Sequence, residues 1–551
     1  MKTTLPFRLK PIFPVPVFPV AFLRIIVRRI AVPLIAVLLS FAACTRPEPA
    51  AGESVQTALG SEPWRPRIHF SPDSMWMNDP NGMVYFDGEY HLFYQYYPGD
   101  KVWGPMHWGH AVSPDMVRWE HLPVALVPDS LGYIFSGSAV ADPANTSRLG
   151  QDGRTPLVAV FTHHDPDLAR DGSDVFQVQS LAFSLDRGRT WTKYGGNPVL
   201  ANPGIRDFRD PKVSWFADRS CWIMVLAVQD RVHFYSSPDL RTWTRESEFG
   251  PGWGTHEGVW ECPDLFPMDL YGQQKWVLLV SVNPGGPQGG SGTQYFVGDF
   301  DGSRFVPEQN PTDTLWMDGG ADNYAGVSWS GVPAEDGRRL LLGWMSNWAY
   351  AQQVPTHPWR SAMTLPRSLF LFDAGGETHL GSRPVRELAS LRKDSVPLVP
   401  GPVTALREIS EISGMDAGPF EVDLTLRVPG GRADLGIVFS NDEGEEVRAG
   451  FRNPGGELYV DRTRSGDGAF SNGFAATHVH PLRMDPGEEL TLRVYLDQSS
   501  VEVFAEDGKA VMTDLVFPTR PFNRIAIYCG EGETELVSGT LYPLKGFRDG
   551  H

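Results

Sequence analysis

Cysteine is scarce in this chain: Cys44, Cys221, Cys262 and Cys529 are the only four among 551 residues. That excludes a disulfide framework, and no two of them form the close pair of a zinc site. Positive charge is also in short supply. Lys and Arg number 48 against 66 Asp and Glu, a formal charge of −18. Six of the basic residues (Lys2, Arg8, Lys10, Arg24, Arg28, Arg29) fall in the first 43, which hold no acid, so the remainder carries −24. So acidic a chain excludes nucleic acid as a partner, because phosphate binding needs clustered Lys and Arg. Long helical periods are missing as well. The nearest approach to a metal cluster is His163-His164-Asp165, but adjacent side chains on an extended chain diverge. That segment reads as a surface loop, and neither a metal nor an organic cofactor is expected.

Glycine (57) and proline (47) are plentiful and aromatics reach 12%, a composition that favours many turns and an all-β protein of two or more domains. Basic residues precede an apolar run from Ile30 to Ala43, the length of a signal peptide rather than of a membrane span. The small residues before Cys44 resemble a bacterial lipoprotein signal. The expectation is an exported protein, cleaved before Cys44 and anchored to a membrane by a lipid on that residue. Residues 44–62, polar and rich in Pro, Ala and Gly, read as a flexible tether.

From Arg67 to about Arg367, short apolar segments alternate with turn signals, as in Gly82–Phe86, His91–Tyr96, Leu157–Phe161, Trp222–Leu226 and Leu340–Trp344. A Ser-x-Asp turn leading to Trp recurs at Ser113–Trp119, Ser184–Trp191 and Ser237–Trp243, with a looser relative at Gly298–Phe305. Recurrence roughly every 50 to 70 residues predicts radially repeated four-stranded blades, about five in number. After Pro400, Phe420–Val428 and Leu490–Val494 alternate with period two, and Ser500–Phe504 follows, which predicts a β-sandwich. The fold class is therefore all-β. A five-bladed β-propeller is expected over 63–380, a linker over 381–400 and a β-sandwich over 401–551.

Three segments carry candidate chemistry. Trp76-Met77-Asn78-Asp79-Pro80-Asn81-Gly82 sets Asp79 among residues that read locally as a tight turn. Phe208-Arg209-Asp210-Pro211 sets a second carboxylate beside an arginine. Trp260-Glu261-Cys262-Pro263-Asp264 sets a third among uncharged neighbours. Cleaving a glycosidic bond with retention needs an ionised carboxylate to attack and a neutral carboxylic acid to protonate the leaving oxygen, about 5 Å apart. Turn amides around Asp79 would favour its charged form, uncharged neighbours would keep Glu261 protonated, and Arg209 would keep Asp210 ionised. Such a pair gives a bell-shaped pH profile, with Asp79 setting the acid limb and Glu261 the basic limb.

Together, in their order and spacing, these segments resemble glycoside hydrolase family 32, the β-fructofuranosidases, over roughly Arg67 to Leu544. The resemblance implies a five-bladed propeller followed by a β-sandwich. It also implies Asp79 as nucleophile, Glu261 as acid/base and Asp210 as transition-state stabiliser. Trp76, Asn78, Gln95, Trp103, Phe135, Ser136, Arg209 and Trp348 are similar to substrate-pocket positions. Gly343–Tyr350 and Trp359–Arg367 resemble the exo-acting levanases and inulinases, which implies release of terminal fructose from levan or inulin, with sucrose as a secondary substrate. An invertase or a transfructosylase of the same fold stays open, as does a non-catalytic fructan-binding surface protein. Ser184–Trp191 also resembles the Asp-box of sialidases, but no arginine cluster with a tyrosine nucleophile can be assembled around it.

Overall fold

The computed structural model describes residues 62–409 and 418–547; the signal segment, Cys44 and the tether up to residue 61 lie outside the described residues. Five antiparallel sheets follow one another along the chain. Blade I holds Met75–Phe86, Glu89–Tyr97, His107–Ser113 and Glu120–Leu126. Blade II holds Tyr133–Ala141, Leu157–His164, Gln177–Ser184 and Thr192–Lys193. Blade III holds Phe208–Phe216, Cys221–Val228, Arg231–Ser237 and Thr244–Phe249. Blade IV holds Val259–Leu270, Gln273–Asn283, Gly292–Phe300 and Phe305–Pro307. Blade V holds Tyr324–Ser328, Arg339–Met345, Arg367–Ala374 and Glu377–Pro384.

The first strand of each blade touches the first strands of its neighbours, so these five ring the propeller axis. The ring closes between the last blade and the first: Tyr85 N–H donates to Ser330 O at 2.8 Å and Ser330 N–H to Met83 O at 3.0 Å. Trp359–Arg360, from a blade V loop, adds a parallel strand beside Met75 and Trp76.

The recurring Ser-x-Asp turns all join the third strand of a blade to its fourth. Asp115 accepts from the Val117 and Arg118 amides, and Asp239 from those of Arg241 and Thr242. The tryptophan then folds back, its indole N–H donating to the carbonyl of Met116, Gly188 or Leu240. Asp301 caps the equivalent turn of blade IV through the Ser303 and Arg304 amides. These are the Asx-type turns whose side chain replaces a backbone acceptor.

The sandwich pairs a seven-stranded sheet containing Phe420–Arg427, Glu489–Leu496, Ser500–Ala505, Ala510–Leu515 and Thr534–Pro543 with a six-stranded sheet containing Ala433–Ser440, Glu446–Asn453 and Arg524–Glu531. Val422, Leu424, Val501 and Val503 pack inward against Leu435, Ile437 and Ile527 of the other sheet. The stretch expected as a linker over 381–400 is divided between its neighbours. Residues to Pro384 complete the outer strand of blade V, Arg386–Leu391 forms a 3₁₀ turn, and Val396–Pro397 already pairs with the sandwich.

The other face of the seven-stranded sheet lies on the propeller: Tyr495, Phe504 and Val511 share a core cluster with Leu388, Leu391 and Leu365. Buried charges cross this junction. Arg367, wholly buried, bonds Asp318 Oδ2 at 2.9 Å and Glu502 Oε2 at 2.6 Å. Glu502 Oε1 meets His69 Nε2 at 2.9 Å, and His69 Nδ1 meets Asp497 Oδ2 at 2.7 Å. A second node joins Arg462 to Asp322 at 2.6 Å and to the Tyr350 hydroxyl at 2.9 Å. Burial alone would push the His69 imidazolium down, but the bonds to Asp497 and Glu502 outweigh it and raise the ring to about 9 from 6.5.

A raised folded-state pKa contributes stability that is complete below the unfolded value and lost as pH climbs through the folded one. His69→Gln should therefore lower Tm most at pH 6, by a term of up to about 3 kcal/mol. The deficit should shrink between pH 6.5 and 9 and vanish above that range, because the wild-type ring is then neutral too. Thermal unfolding of both proteins across that window tests this; a deficit independent of pH would contradict it.

Candidate active site

Each of the five axial strands is interrupted by an irregularity in register near one end. The shifts fall between Met77 and Pro80 in blade I, Ile134 and Gly137 in blade II, Arg209 and Lys212 in blade III, Glu261 and Asp264 in blade IV, and Tyr324 and Val327 in blade V. An extra residue in a strand re-aims the side chains around it. Asp79, Phe135-Ser136, Asp210, Cys262 and Ala325 occupy these irregular stretches. Asp210 (φ 62°), Cys262 (φ 44°) and Ala325 (φ 53°) sit in the left-handed region that such bulges demand.

The Asn-Asp-Pro-Asn-Gly segment is thus not a turn. It lies inside the strand Met75–Phe86. Gly82, at φ 58°, provides its left-handed residue, and a Cβ there would stand 2.7 Å from Trp108 and 2.8 Å from Phe93.

The side chains converge on a pocket of about 330 Å³, counting its open mouth, lined by Asn78, Asp79, Gln95, Trp103, Phe135, Ser136, Arg209, Asp210, Glu261 and Trp348. Trp76 is not among them. It is wholly buried, donates its indole N–H to Asn78 Oδ1 at 2.7 Å, and packs against Trp344 and Trp348. It positions Asn78 and one wall from within the core rather than lining the pocket itself.

Within the pocket, Ser136 Oγ donates to Asp79 Oδ2 at 2.9 Å, while Asp79 Oδ1 is buried with no donor in hydrogen-bonding geometry. Arg209 donates from Nη2 to Glu261 Oε1 at 2.8 Å and from Nη1 to Asp207 Oδ1 at 2.6 Å; its Nε stands 3.9 Å from Asp210 Oδ2. Asp210 Oδ2 accepts from the Cys262 amide at 3.0 Å. The Cys262 thiol lies between two carboxylates, 3.6 Å from Asp79 Oδ2 and 3.7 Å from Asp210 Oδ2. The Tyr324 hydroxyl donates to Glu261 Oε2.

Glu261, Asp207 and Asp210 therefore share one guanidinium, and Asp79 neighbours Glu261 and Asp210. Burial first, then the charge of Glu261, pushes Asp79 above the ordinary 3.8, against the smaller pull of Asn78 and Ser136. Burial also raises Asp210 to about 7; Arg209 opposes the rise, and Glu261 and Asp79 add to it. Both results depart from the sequence expectation. The donors expected from a turn around Asp79 are engaged in a sheet, and Arg209 spends its closest contacts on Glu261 and Asp207 rather than on Asp210. The uncharged neighbours of Glu261 do not enclose it either. Trp260 points into the core between strands, and Glu261 faces Arg209 and Tyr324.

Sequence reading missed Tyr324, Asp207 and the placement of Cys262. Tyr324 lies in a plain apolar segment of a different blade, and no local signal marks it; Asp207, two residues before Arg209, was the more legible. The His163-His164 pair is no surface loop. It ends the second strand of blade II, where His163 is fully buried and bonds Ser180 at 2.8 Å, and His164 stacks on Phe135 at 4.3 Å. Among the described residues no cluster of His, Cys, Asp and Glu could hold a metal ion.

A propeller that gathers carboxyls around one arginine in an aromatic-walled axial pocket is the scaffold of a glycoside hydrolase. The sequence models of the glycosyl hydrolases family 32 N-terminal and C-terminal domains match residues 69–384 and 387–543. The chain belongs to that family. It is 47% identical over 500 residues to a levanase of Bacillus subtilis, covering 90% of this chain and 72% of that protein. It is 40% identical over 506 residues to the extracellular exo-inulinase of Aspergillus niger, covering 86% and 94%. The crystal structure of exo-inulinase from Aspergillus awamori superposes with a TM-score of 0.80 at 36% identity, covering 88% of this chain and 99% of that one.

A carboxyl with a raised folded-state pKa costs stability as pH climbs from its unfolded value to its folded one. Asp210→Asn removes that cost. Its Tm should match the wild type near pH 4 and exceed it by roughly 3 °C at pH 8. A variant less stable than wild type at both pH values would show that Asp210 is held as a structural anion.

Proposed function

We propose that this enzyme releases terminal β-D-fructose from fructans, levan or inulin, by retaining, exo-acting hydrolysis, with sucrose as a secondary substrate. The observation that carries the reading is the meeting of Asp79, Asp210 and Glu261 in the lining of one small pocket, with Arg209 bonded to Glu261 and near Asp210. A pocket of that size, walled by Trp103, Phe135 and Trp348, suits one chain-terminal furanose better than the middle of a polymer. The relatives named above, a levanase and exo-inulinases, support the same substrate class.

In this reading Asp79 Oδ1, buried and with no donor bonded to it, attacks the anomeric carbon. Glu261 transfers a proton to the leaving oxygen as the glycosidic bond breaks. Glu261, now ionised, takes a proton from the water that hydrolyses the fructosyl ester and returns Asp79 to its carboxylate. Asp210 and Arg209 bond hydroxyls of the terminal sugar, and Asp210, in its ionised form, stabilises the oxocarbenium-like transition state. The site supplies the proton for the first step by crowding. Burial and the neighbouring charges push Asp79 and Asp210 up, so the pocket favours holding a proton at mildly acid pH.

We also infer export, from the basic and apolar segment up to Ala43, and lipid anchoring at Cys44. Cys44→Ser in a bacterial host should shift the protein from the membrane fraction to the soluble one; unchanged partitioning would remove the anchor from the proposal.

Incubation with levan, inulin and sucrose should give free fructose alone from a polymer. Short oligomers would mean endo cleavage, longer products transfer, and no product a binding protein. Asp79→Asn should lower turnover by roughly four orders of magnitude or more while keeping the fold, and near-wild-type activity would overturn its assignment. The kcat/KM profile should be bell-shaped, with an acid limb above the ordinary 3.8 because burial and the charge of Glu261 push Asp79 up.

A further inference from the structure

A bulge releases part of a strand from its ladder, so a reacting group carried there needs an anchor close by if it is to be held to within about 0.5 Å. In blade III the irregular stretch holds Asp210; in blades IV and V it begins at Glu261 and Tyr324. Regular pairing resumes at Lys212 opposite Val225, at Asp264 opposite Leu279, and at Val327 opposite Leu342, with Ser328 next in line opposite Leu341.

These first regular rungs meet one another between the axial strands. Lys212 Nζ donates to the Ser328 carbonyl at 2.5 Å and stands 3.0 Å from Asp264 Oδ2. The same Oδ2 accepts from the Ser328 amide at 2.6 Å. All three residues are buried. One ammonium therefore joins three blades, close in each chain segment to Asp210, Glu261 or Tyr324. Blade II holds the same tier without charge. Ser138 Oγ donates to the Pro211 carbonyl and accepts from the Val213 amide, each at 2.9 Å, and so grips the backbone on both sides of Lys212. Ser330 Oγ, just past the axial strand of blade V, donates to the Ala139 carbonyl of blade II at 2.6 Å. Neither Lys212 nor Asp264 lines the pocket, and the reaction described above gives them no task.

Resting on the roles given above to Asp79, Asp210 and Glu261, we propose that Lys212 and Asp264 are positioning residues for the reaction. They fix the axial strands of blades III, IV and V directly below their bulges, and so set how far apart Asp210, Glu261 and the Tyr324 hydroxyl stand. Burial pulls the Lys212 ammonium below its ordinary 10.5, and Asp264 makes up only part of that loss. A pair held against its own desolvation serves orientation more than stability.

The test uses the double variant Lys212→Met/Asp264→Asn. Met fills the space of the lysine stem, and the Asn carbonyl still accepts from the Ser328 amide, so no unpaired charge is left in the core. What is lost is the link from blade III to the other two. With sucrose as substrate, kcat should fall between about tenfold and a hundredfold, the effect of misplacing a reacting group by about 1 Å, and KM should change far less. The acid limb of the pH profile should move down toward 3.8, because Glu261 presses less on Asp79 once the strands part. His69→Gln, which weakens the sandwich junction instead, controls for a general loss of stability and should move neither reading. Wild-type kcat with an unmoved acid limb in the double variant, or the same changes in His69→Gln, would overturn the proposal. Asp264→Asn alone keeps the Lys212 bond to Ser328 and is the milder variant should the double one not fold. It should lower kcat in the same direction by a smaller factor, and wild-type kcat there refutes the role of the pair. A crystal structure of whichever variant folds gives a measurement that needs no substrate: the carboxyls of Asp210 and Glu261 should shift relative to each other by about 1 Å, and an unchanged separation refutes the clamp. Absence of fructose release by the wild-type enzyme would instead refute the fructan reading.

Discussion

Asp79, Asp210 and Glu261 line one small pocket, with the Arg209 guanidinium bonded to Glu261 and beside Asp210. Like charges gathered in one pocket raise one another's pKa and repel where the dielectric is low, so the chain around them is held from several directions. The propeller does this by bringing the three acids in on separate blades. Each arrives on an axial strand whose far end is locked into a sheet and whose near end bulges toward the axis. No single loop could hold the three together, because each would be free to relax away from the others.

The crowding has a chemical use. Retaining hydrolysis asks for one carboxylate and one carboxylic acid in the same site, and the burial that pushes Asp79 and Asp210 up favours keeping a proton in the pocket. A second set of buried charges is paired. At the junction with the sandwich, the charges of Arg367, Glu502, His69, Asp497 and Asp318 are paired and buried, with His69 raised to about 9. One end of the protein stores unfavourable electrostatics for function, and the other joins two domains through favourable ones. Buried pairs of this kind specify orientation more than they stabilise. Here they fix how the seven-stranded sheet lies on blade V.

The same junction explains why the sandwich was only half legible. Period-two alternation in Phe420–Arg427 and Ser500–Ala505 marks one apolar face, and by habit the other face is read as facing water. Glu421 and Glu502 are nevertheless fully buried, because the polar face is the one that docks on the propeller. An alternating strand records that its two faces differ and not what covers each one.

Local sequence sufficed for features written in contiguous residues. The Ser-x-Asp turns ending in Trp marked the blade corners, since an Asx turn is made by a side chain and its own next few amides. The acids of the three short motifs, with Gln95, Trp103, Phe135, Ser136 and Trp348, were legible as pocket positions because each motif has a characteristic form. Tertiary structure alone decided the rest. It turned Trp76 into the core, placed the Tyr324 hydroxyl on Glu261, set His164 against Phe135, and raised Asp79 and Asp210 where turn amides and an adjacent arginine had suggested the reverse. The reason is physical. A side chain's direction follows from strand and bulge geometry, and its charge state follows from burial and from charges across space, whereas sequence proximity measures neither.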